Sequence, residues 1–233
     1  MVKIKKGWFC TSCGNESAKW LCRCPAGGEW NTLQEEIISK DTGGGARGMS
    51  FISERSSKPQ LLSEITFSDD HRISLGNNEL DRILGGGLVL GSMVLIGGEP
   101  GIGKSTLSLQ IPLHCPDLVT LYVSGEESAR QIKLRAQRLG GIHDNCYILC
   151  ETLLENILER AKEAQPQLII IDSIQTIYSQ VVESSPGSVT QVRESAAALL
   201  KYAKETNTPV IVIGHITKDG MIAGPKILEH IVD

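Results

Sequence analysis

Short apolar runs alternate with amphipathic stretches over most of the second half of the chain. The runs Met93–Ile96, Val119–Val123, Tyr147–Leu149, Leu168–Ile171 and Val210–Ile213 are rich in Val, Ile and Leu. Two of them, LIII and VIVI, are continuously apolar rather than alternating, the pattern of strands buried on both faces. Between them, helical spacing predicts helices near Lys104–His114, Ala129–Leu139, Leu153–Gln165 and Val189–Thr206. A shorter amphipathic helix, Asn78–Leu84, puts Leu80, Ile83 and Leu84 on one face and ends at Gly85–Gly87. Strands alternating with helices through right-handed crossovers give an α/β fold with a doubly wound, mostly parallel sheet.

Ahead of this region the patterning changes twice. Residues 1–33 hold four of the seven Cys and all three Trp, and read as a small separate module. Residues 34–63 are rich in Gly, Ser and charge, with GGGARG at Gly43–Gly48 and no helical or strand period, so they read as a flexible linker. Residues 64–233 form the α/β core.

Composition narrows the function classes. With 233 residues, 41% hydrophobic and 21% charged, the chain can bury a core, and global disorder is excluded. No apolar run reaches membrane-spanning length, and the start MVKIKKGWFCTSC has no signal-peptide stretch, so a cytoplasmic protein without a membrane role is expected. Its cysteines are then thiols or metal ligands rather than disulfides. The net charge of −4 is unevenly spread: residues 1–33 sum to +3, residues 34–63 to zero and the rest to −7. Such a body has no broad cationic face for duplex DNA, so any nucleic-acid contact must come from local clusters or a ring of subunits.

The strongest chemical signal is Gly98-Glu99-Pro100-Gly101-Ile102-Gly103-Lys104-Ser105, followed by Thr106. It fits G-x4-G-K-[ST] and lies between a predicted strand and a predicted helix, the context a phosphate-binding loop requires. Its glycines allow backbone N–H groups to curl around phosphates, and the helix N-terminus adds partial positive charge. Lys104 reaches the β- and γ-phosphates of ATP in such a site, and the Ser105 hydroxyl ligates Mg²⁺. Asp172, closing the run LIIID, is placed to hold Mg²⁺ through water; the alternative is an acid capping the next helix. In Ser124-Gly125-Glu126-Glu127-Ser128, beyond the second strand, Glu126 is the candidate to polarise an attacking water. Glu127 falls where a first helical turn favours an acid, and both acids could serve only that purpose. His215, at the end of VIVIGH, is a candidate γ-phosphate sensor or a strand-end histidine bound to a loop. Arg193, after the loop 181–190, and Lys218 and Lys226, in the glycine-rich TKDGMIAGPK, could face a polyanion or only solvent.

The blocks GGEPGIGKSTL, YVSGEES, LIIIDSIQT, SSPGSVTQVRESAAALL and GHITKDGMIAGPKILEH resemble the bacterial RadA (Sms) DNA-repair proteins along residues 1–233. The resemblance implies a RecA-like P-loop ATPase core behind an N-terminal zinc ribbon. It implies ATP-driven branch migration or unwinding of recombination intermediates on single-stranded DNA by a homo-hexameric ring, with a recombinase as a partner. It makes Lys104, Ser105 and Asp172 the ATP and Mg²⁺ residues, Glu126 the catalytic acid and His215 the nucleotide sensor. It turns the loops around 181–193 and 217–226 toward DNA. The family continues beyond the position of Asp233 with a Lys-Asn-Arg-Phe-Gly motif and a Lon-protease-like domain, so a truncated chain with an exposed sheet edge is expected. The family's zinc pattern is C-x2-C followed by C-P-x-C. Here Cys10, Cys13 and Cys24 fit, Gly27 replaces the fourth Cys, and Cys22 is the candidate substitute ligand, since residues i and i+2 of an extended stretch share a face. Two other readings stand beside the motor: a P-loop phosphotransferase, whose basic lid could only be the helix with Arg130, Lys133, Arg135 and Arg138, and a nucleotide-binding interaction module without DNA-stimulated turnover.

Overall fold

A computed structural model of the chain describes residues 4–10, 16–17, 19–39, 61, 72–215 and 228–233. Its N-terminal part is a three-stranded antiparallel sheet in which β1 (Ile4–Cys10) lies between β2 (Glu16–Ser17) and β3 (Leu33–Ser39). The expected linker boundary after Leu33 therefore falls inside β3, whose whole length pairs with β1 from Cys10↔Leu33 to Ile4↔Ser39. A charged, mixed segment such as QEEIIS shows no period of its own, and its strand state comes from the partner.

Among the described residues the core has five further strands, β4 (Met93–Gly98), β5 (Thr120–Ser124), β6 (Cys146–Cys150), β7 (Leu168–Asp172) and β8 (Val210–His215). They pair in parallel in the order β4-β8-β7-β5-β6. The helices are α1 (Asn78–Ile83), α2 (Lys104–His114), α3 (Ala129–Leu139), α4 (Leu154–Ala164) and α5 (Val189–Thr206), with a 3-10 turn at Ile174–Thr176. The expected α/β doubly wound sheet is thus present.

Two layers of core explain why the central strands are continuously apolar. On one face Leu121, Val123, Ile169, Ile171 and Val212 pack with Ile157 and Leu158 of α4 and Val192, Ala196 and Leu199 of α5. On the other, Tyr122, Leu168, Ile170 and Ile211 pack with Leu109 and Ile111 of α2 and Ile132 of α3. Each fully buried Leu or Ile contributes roughly 1.5–3 kcal/mol.

Capping fixes where the helices start. Ser128 and Gln131 form a reciprocal capping box on α3, which ends at Gly140 in the left-handed region, and the Ser188 hydroxyl accepts the Gln191 N–H at the start of α5. Among the described strands β4 is an edge. At its first residue, the Met93 carbonyl accepts from the Asp233 N–H at 3.0 Å and the Met93 N–H donates to the Asp233 carboxylate at 2.9 Å.

Candidate active site

All five core strands are parallel, so their carboxyl ends open on one side of the sheet, where crevices for ligands form. The end of β4 becomes the loop Gly98–Gly103, and α2 begins at Lys104. Gly103 at the N-cap has φ 102° and supplies no side chain to the first-turn amides of α2, so those N–H groups are left to a ligand. Gly101 has φ 81°, and a Cβ built on either glycine would meet nothing within 4 Å. An anionic group fits that space, lined by backbone donors at the positive end of an 11-residue helix.

The Lys104 side chain curls back over this loop. Its Nζ donates to the Gly98 carbonyl at 2.7 Å and the Glu99 carbonyl at 2.8 Å, and the residue is only 7% exposed. Burial lowers its pKa, while the carboxylates of Asp172 and Glu126 pull it back up. A partly desolvated ammonium held by two neutral carbonyls is poised to exchange them for phosphate oxygens. Ser105 and Thr106 follow in the first turn, half-buried.

Asp172 ends β7, opposite Ser124 of β5. It is 7% exposed, and its Oδ2 accepts the Tyr122 hydroxyl at 2.6 Å. Glu126 lies just beyond β5. Its Oε1 accepts the Ser173 hydroxyl at 2.9 Å and lies 3.5 Å from His215 Nε2 at the end of β8. Its side chain is 53% exposed, so a water can reach it. Among the described residues, the buried Nδ1 of His215 has no hydrogen-bond partner. The structure thus brings Lys104, Ser105, Asp172, Glu126 and His215 to one end of the sheet. Glu127 is held apart from that set by an ion pair with Arg135. It precedes Ser128, which caps α3, and so lies just outside the first helical turn.

Three residues of this site were not assigned these partners from the sequence. Ser173 orients Glu126, and Arg135, read in the sequence only as part of a possible basic lid, pairs with Glu127; its side chain is only 16% exposed. Tyr122 bonds Asp172, and the one available hint was a phenol between Leu121 and Val123 in a buried strand, since a buried hydroxyl needs a partner. Burial, reinforced by Asp172, raises the pKa of that phenol.

The other candidate residues fare differently. Arg193 is exposed on α5 and bonds the neighbouring Glu194 at 3.2–3.3 Å. The preceding loop is tied down by Gln191, whose buried amide donates to the carbonyls of Ser179, Val182 and Ser184 and accepts from Ser179 N–H. Lys218 and Lys226 lie outside the described residues, as does Cys13. Cys10 and Cys24 are buried in one small cluster with Leu33 and Trp8, but Cys22 is exposed. Cys22 and Cys24 flank the antiparallel bridge Arg23↔Trp30, with Asn31 N–H donating to the Cys22 carbonyl and Cys24 N–H to the Glu29 carbonyl; beyond Cys24 the chain turns, where Gly28 N–H donates to its carbonyl and Gly27 N–H to its Sγ. Among the described residues no three metal-ligating side chains assemble, and nothing below depends on a zinc ion. Also among them, no helix is long and apolar enough to cross a membrane.

A parallel α/β sheet carrying a glycine loop, a buried lysine and a strand-end aspartate defines a P-loop ATPase core. The chain belongs to the AAA domain family, whose match covers residues 58–221. The expected resemblance to RadA is borne out along the whole chain. It is 46% identical over 235 residues to the DNA repair protein RadA of Bacillus subtilis, with 100% of this chain and 51% of that protein aligned. The RadA proteins of Pseudomonas aeruginosa and Aquifex aeolicus are each 46% identical over 234 residues, with the same shares covered. The chain spans about half the length of these curated relatives. Among solved structures, a KaiC-like protein from Pyrococcus horikoshii has the same fold, with a TM-score of 0.58 at 21% identity over 70% of this chain and 78% of that one.

Proposed function

We propose that this chain is the ATP-hydrolysing core of a DNA-repair motor, acting in the cytoplasm on single-stranded DNA and recombination intermediates. The observation that carries the hydrolytic part is the placement of Glu126. One carboxylate, oriented by Ser173 and beside His215, sits at the same sheet end as the uncapped start of α2. The amides of residues 101–106 and the Lys104 ammonium would bind the phosphates of ATP, and Ser105 and Asp172 would hold Mg²⁺. The bound Mg²⁺ supplies charge neutralisation on the phosphates.

The rest is done by the chain's own side chains. Lys104 leaves the carbonyls of Gly98 and Glu99 for phosphate oxygens. Glu126 orients a water for in-line attack and takes its proton. His215, 3.5 Å from Glu126 Oε1, reports the state of that carboxylate to β8 and the chain that follows it, where Lys218 lies. In this reading the segment after β8 and the loop held by Gln191 before Arg193 face DNA inside a homo-hexameric ring, and a recombinase is a partner. The support for DNA repair is the identity to RadA proteins along the full chain. The phosphotransferase reading loses ground because Arg135, central to its only basic lid, is committed to Glu127.

The test is ATP hydrolysis by the full chain with and without single-stranded DNA, using Lys104→Ala as the blank. Turnover that DNA stimulates and the blank lacks is the expected result. Absence of turnover in the unsubstituted chain overturns the hydrolytic reading, and turnover indifferent to DNA overturns the motor reading.

A further inference from the structure

Asp172 must present a carboxylate oxygen in a defined direction, yet the terminal torsion of an aspartate is broad and nearly twofold. Something has to pin it. The Tyr122 hydroxyl donates to Asp172 Oδ2 at 2.6 Å, the short separation of a hydroxyl bonded to an ionised carboxylate. The tyrosine is a rigid lever for that purpose. It is 1% exposed, and its ring is fixed in the core layer containing Leu168, Ile170 and Leu109. The β5–β7 register sets Tyr122 opposite Ile170, so its hydroxyl reaches up the same face to the position two residues on.

The same oxygen lies 3.5 Å from the Ser105 carbonyl. A phenol has one proton, and the shorter contact takes it, so the phenol donates to Asp172 and abuts Ser105. One hydroxyl therefore sits between the first turn of α2 and the end of β7, the two segments whose side chains would share a metal ion. With Oδ2 occupied, Oδ1 is the oxygen left to face it.

We propose that Tyr122 is a positioning residue that locks the Asp172 carboxylate so that one oxygen is presented to a nucleotide-bound divalent cation beside Ser105. The proposal rests on the ATPase reading above. It differs from a tyrosine that merely satisfies its own buried hydroxyl, because it predicts an effect confined to the metal-dependent part of nucleotide binding.

The experiment is equilibrium binding of a fluorescent ATP analogue to the full chain, in EDTA and across a Mg²⁺ titration, for the unsubstituted protein and Tyr122→Phe. Phenylalanine keeps the ring and removes only the hydroxyl; the thermal midpoint checks that the variant is folded. In EDTA the two proteins bind within about twofold of each other, whereas half-maximal Mg²⁺ enhancement requires at least about fivefold more Mg²⁺ in the variant, the loss of one charge-assisted hydrogen bond partly compensated by water. In an Asp172→Asn background, adding Tyr122→Phe changes the Mg²⁺ requirement by less than about twofold, since the two residues act as one unit. An unchanged Mg²⁺ requirement in Tyr122→Phe, an equal loss in EDTA and in Mg²⁺, or an undiminished effect in the Asp172→Asn background would each overturn the proposal. If the unsubstituted chain gains no affinity from Mg²⁺ at all, the ATPase reading itself fails and takes this inference with it.

Discussion

Gly125 lies between the strand that ends at Ser124 and the acid Glu126, and a methyl group there has nowhere to go. A Cβ built on Gly125 would sit 2.1 Å from Thr176 Oγ1, 2.6 Å from Thr176 Cβ and 3.0 Å from Thr152 Cγ2. The obstacle is space and not backbone angle, because Gly125 is outside the left-handed region. Thr176 cannot easily retreat: its hydroxyl donates to the Ser173 carbonyl at 2.7 Å, and its own N–H donates to the same carbonyl at 3.2 Å. Overpacking of this kind costs about 1–3 kcal/mol. For a domain of this size, a cost near 2 kcal/mol lowers the thermal midpoint by roughly 4–8 °C.

The strain also has a direction. Pushing Thr176 displaces Ser173, and the Ser173 hydroxyl is what holds Glu126 Oε1. Gly125→Ala should therefore reduce ATP turnover more than nucleotide affinity. Urea unfolding of Gly125→Ala, Thr176→Gly and the double variant provides the assay. Thr176→Gly removes both atoms responsible for the two shortest overlaps, so the double variant should be less unstable than the sum of the singles by about 1 kcal/mol or more. A single variant within about 0.5 kcal/mol of the parent, or strictly additive singles, would refute the steric argument.

Two further predictions concern carboxylates. Glu126→Gln keeps the hydrogen bond from Ser173 but cannot take a proton, so turnover should fall by about 10²- to 10⁴-fold while nucleotide affinity stays within about twofold; turnover at the parent rate would remove Glu126 from its role. Glu151 accepts the N–H groups of Leu153 and Thr152 and the Asn156 amide at the start of α4, and these bonds, that from Leu153 foremost, hold its pKa below the ordinary 4.5. A carboxylate with a depressed folded pKa stabilises above its unfolded value and loses that contribution as pH falls through the folded one. The parent should thus unfold at higher urea than Glu151→Gln at pH 7, with the gap closing on acidification below about 4.5; a gap independent of pH contradicts the assignment.

The parts of this molecule legible in the sequence are those whose cause is local. LIII and VIVI announce doubly buried strands because each residue contributes its own apolar surface. G-x4-G-K-S announces a phosphate loop because the glycines, the lysine and the helix start are contiguous in the chain. What could not be read depends on registers set by the whole sheet. Tyr122 meets Asp172 only because β5 and β7 are neighbours with Tyr122 opposite Ile170, although they are separated in the chain by α3, β6 and α4. Glu126 meets Ser173 across the same strand pair, and His215 joins them from β8. The charges of α3 show the limit from the other side. Four basic residues at helical spacing look equivalent in sequence, yet Arg135 is drawn inward because Glu127 sits within its reach, whereas Arg130, Lys133 and Arg138 stay exposed. Cys22 and Cys24 differ in burial although Arg23 between them pairs with Trp30, because Cys24 packs with Cys10, Leu33 and Trp8 whereas Cys22 lies on the surface. A sequence therefore identifies the atoms that do chemistry more readily than those that aim them. In the proposed site the aiming falls to Tyr122 and Ser173, two hydroxyls whose partners only the sheet register brings into reach.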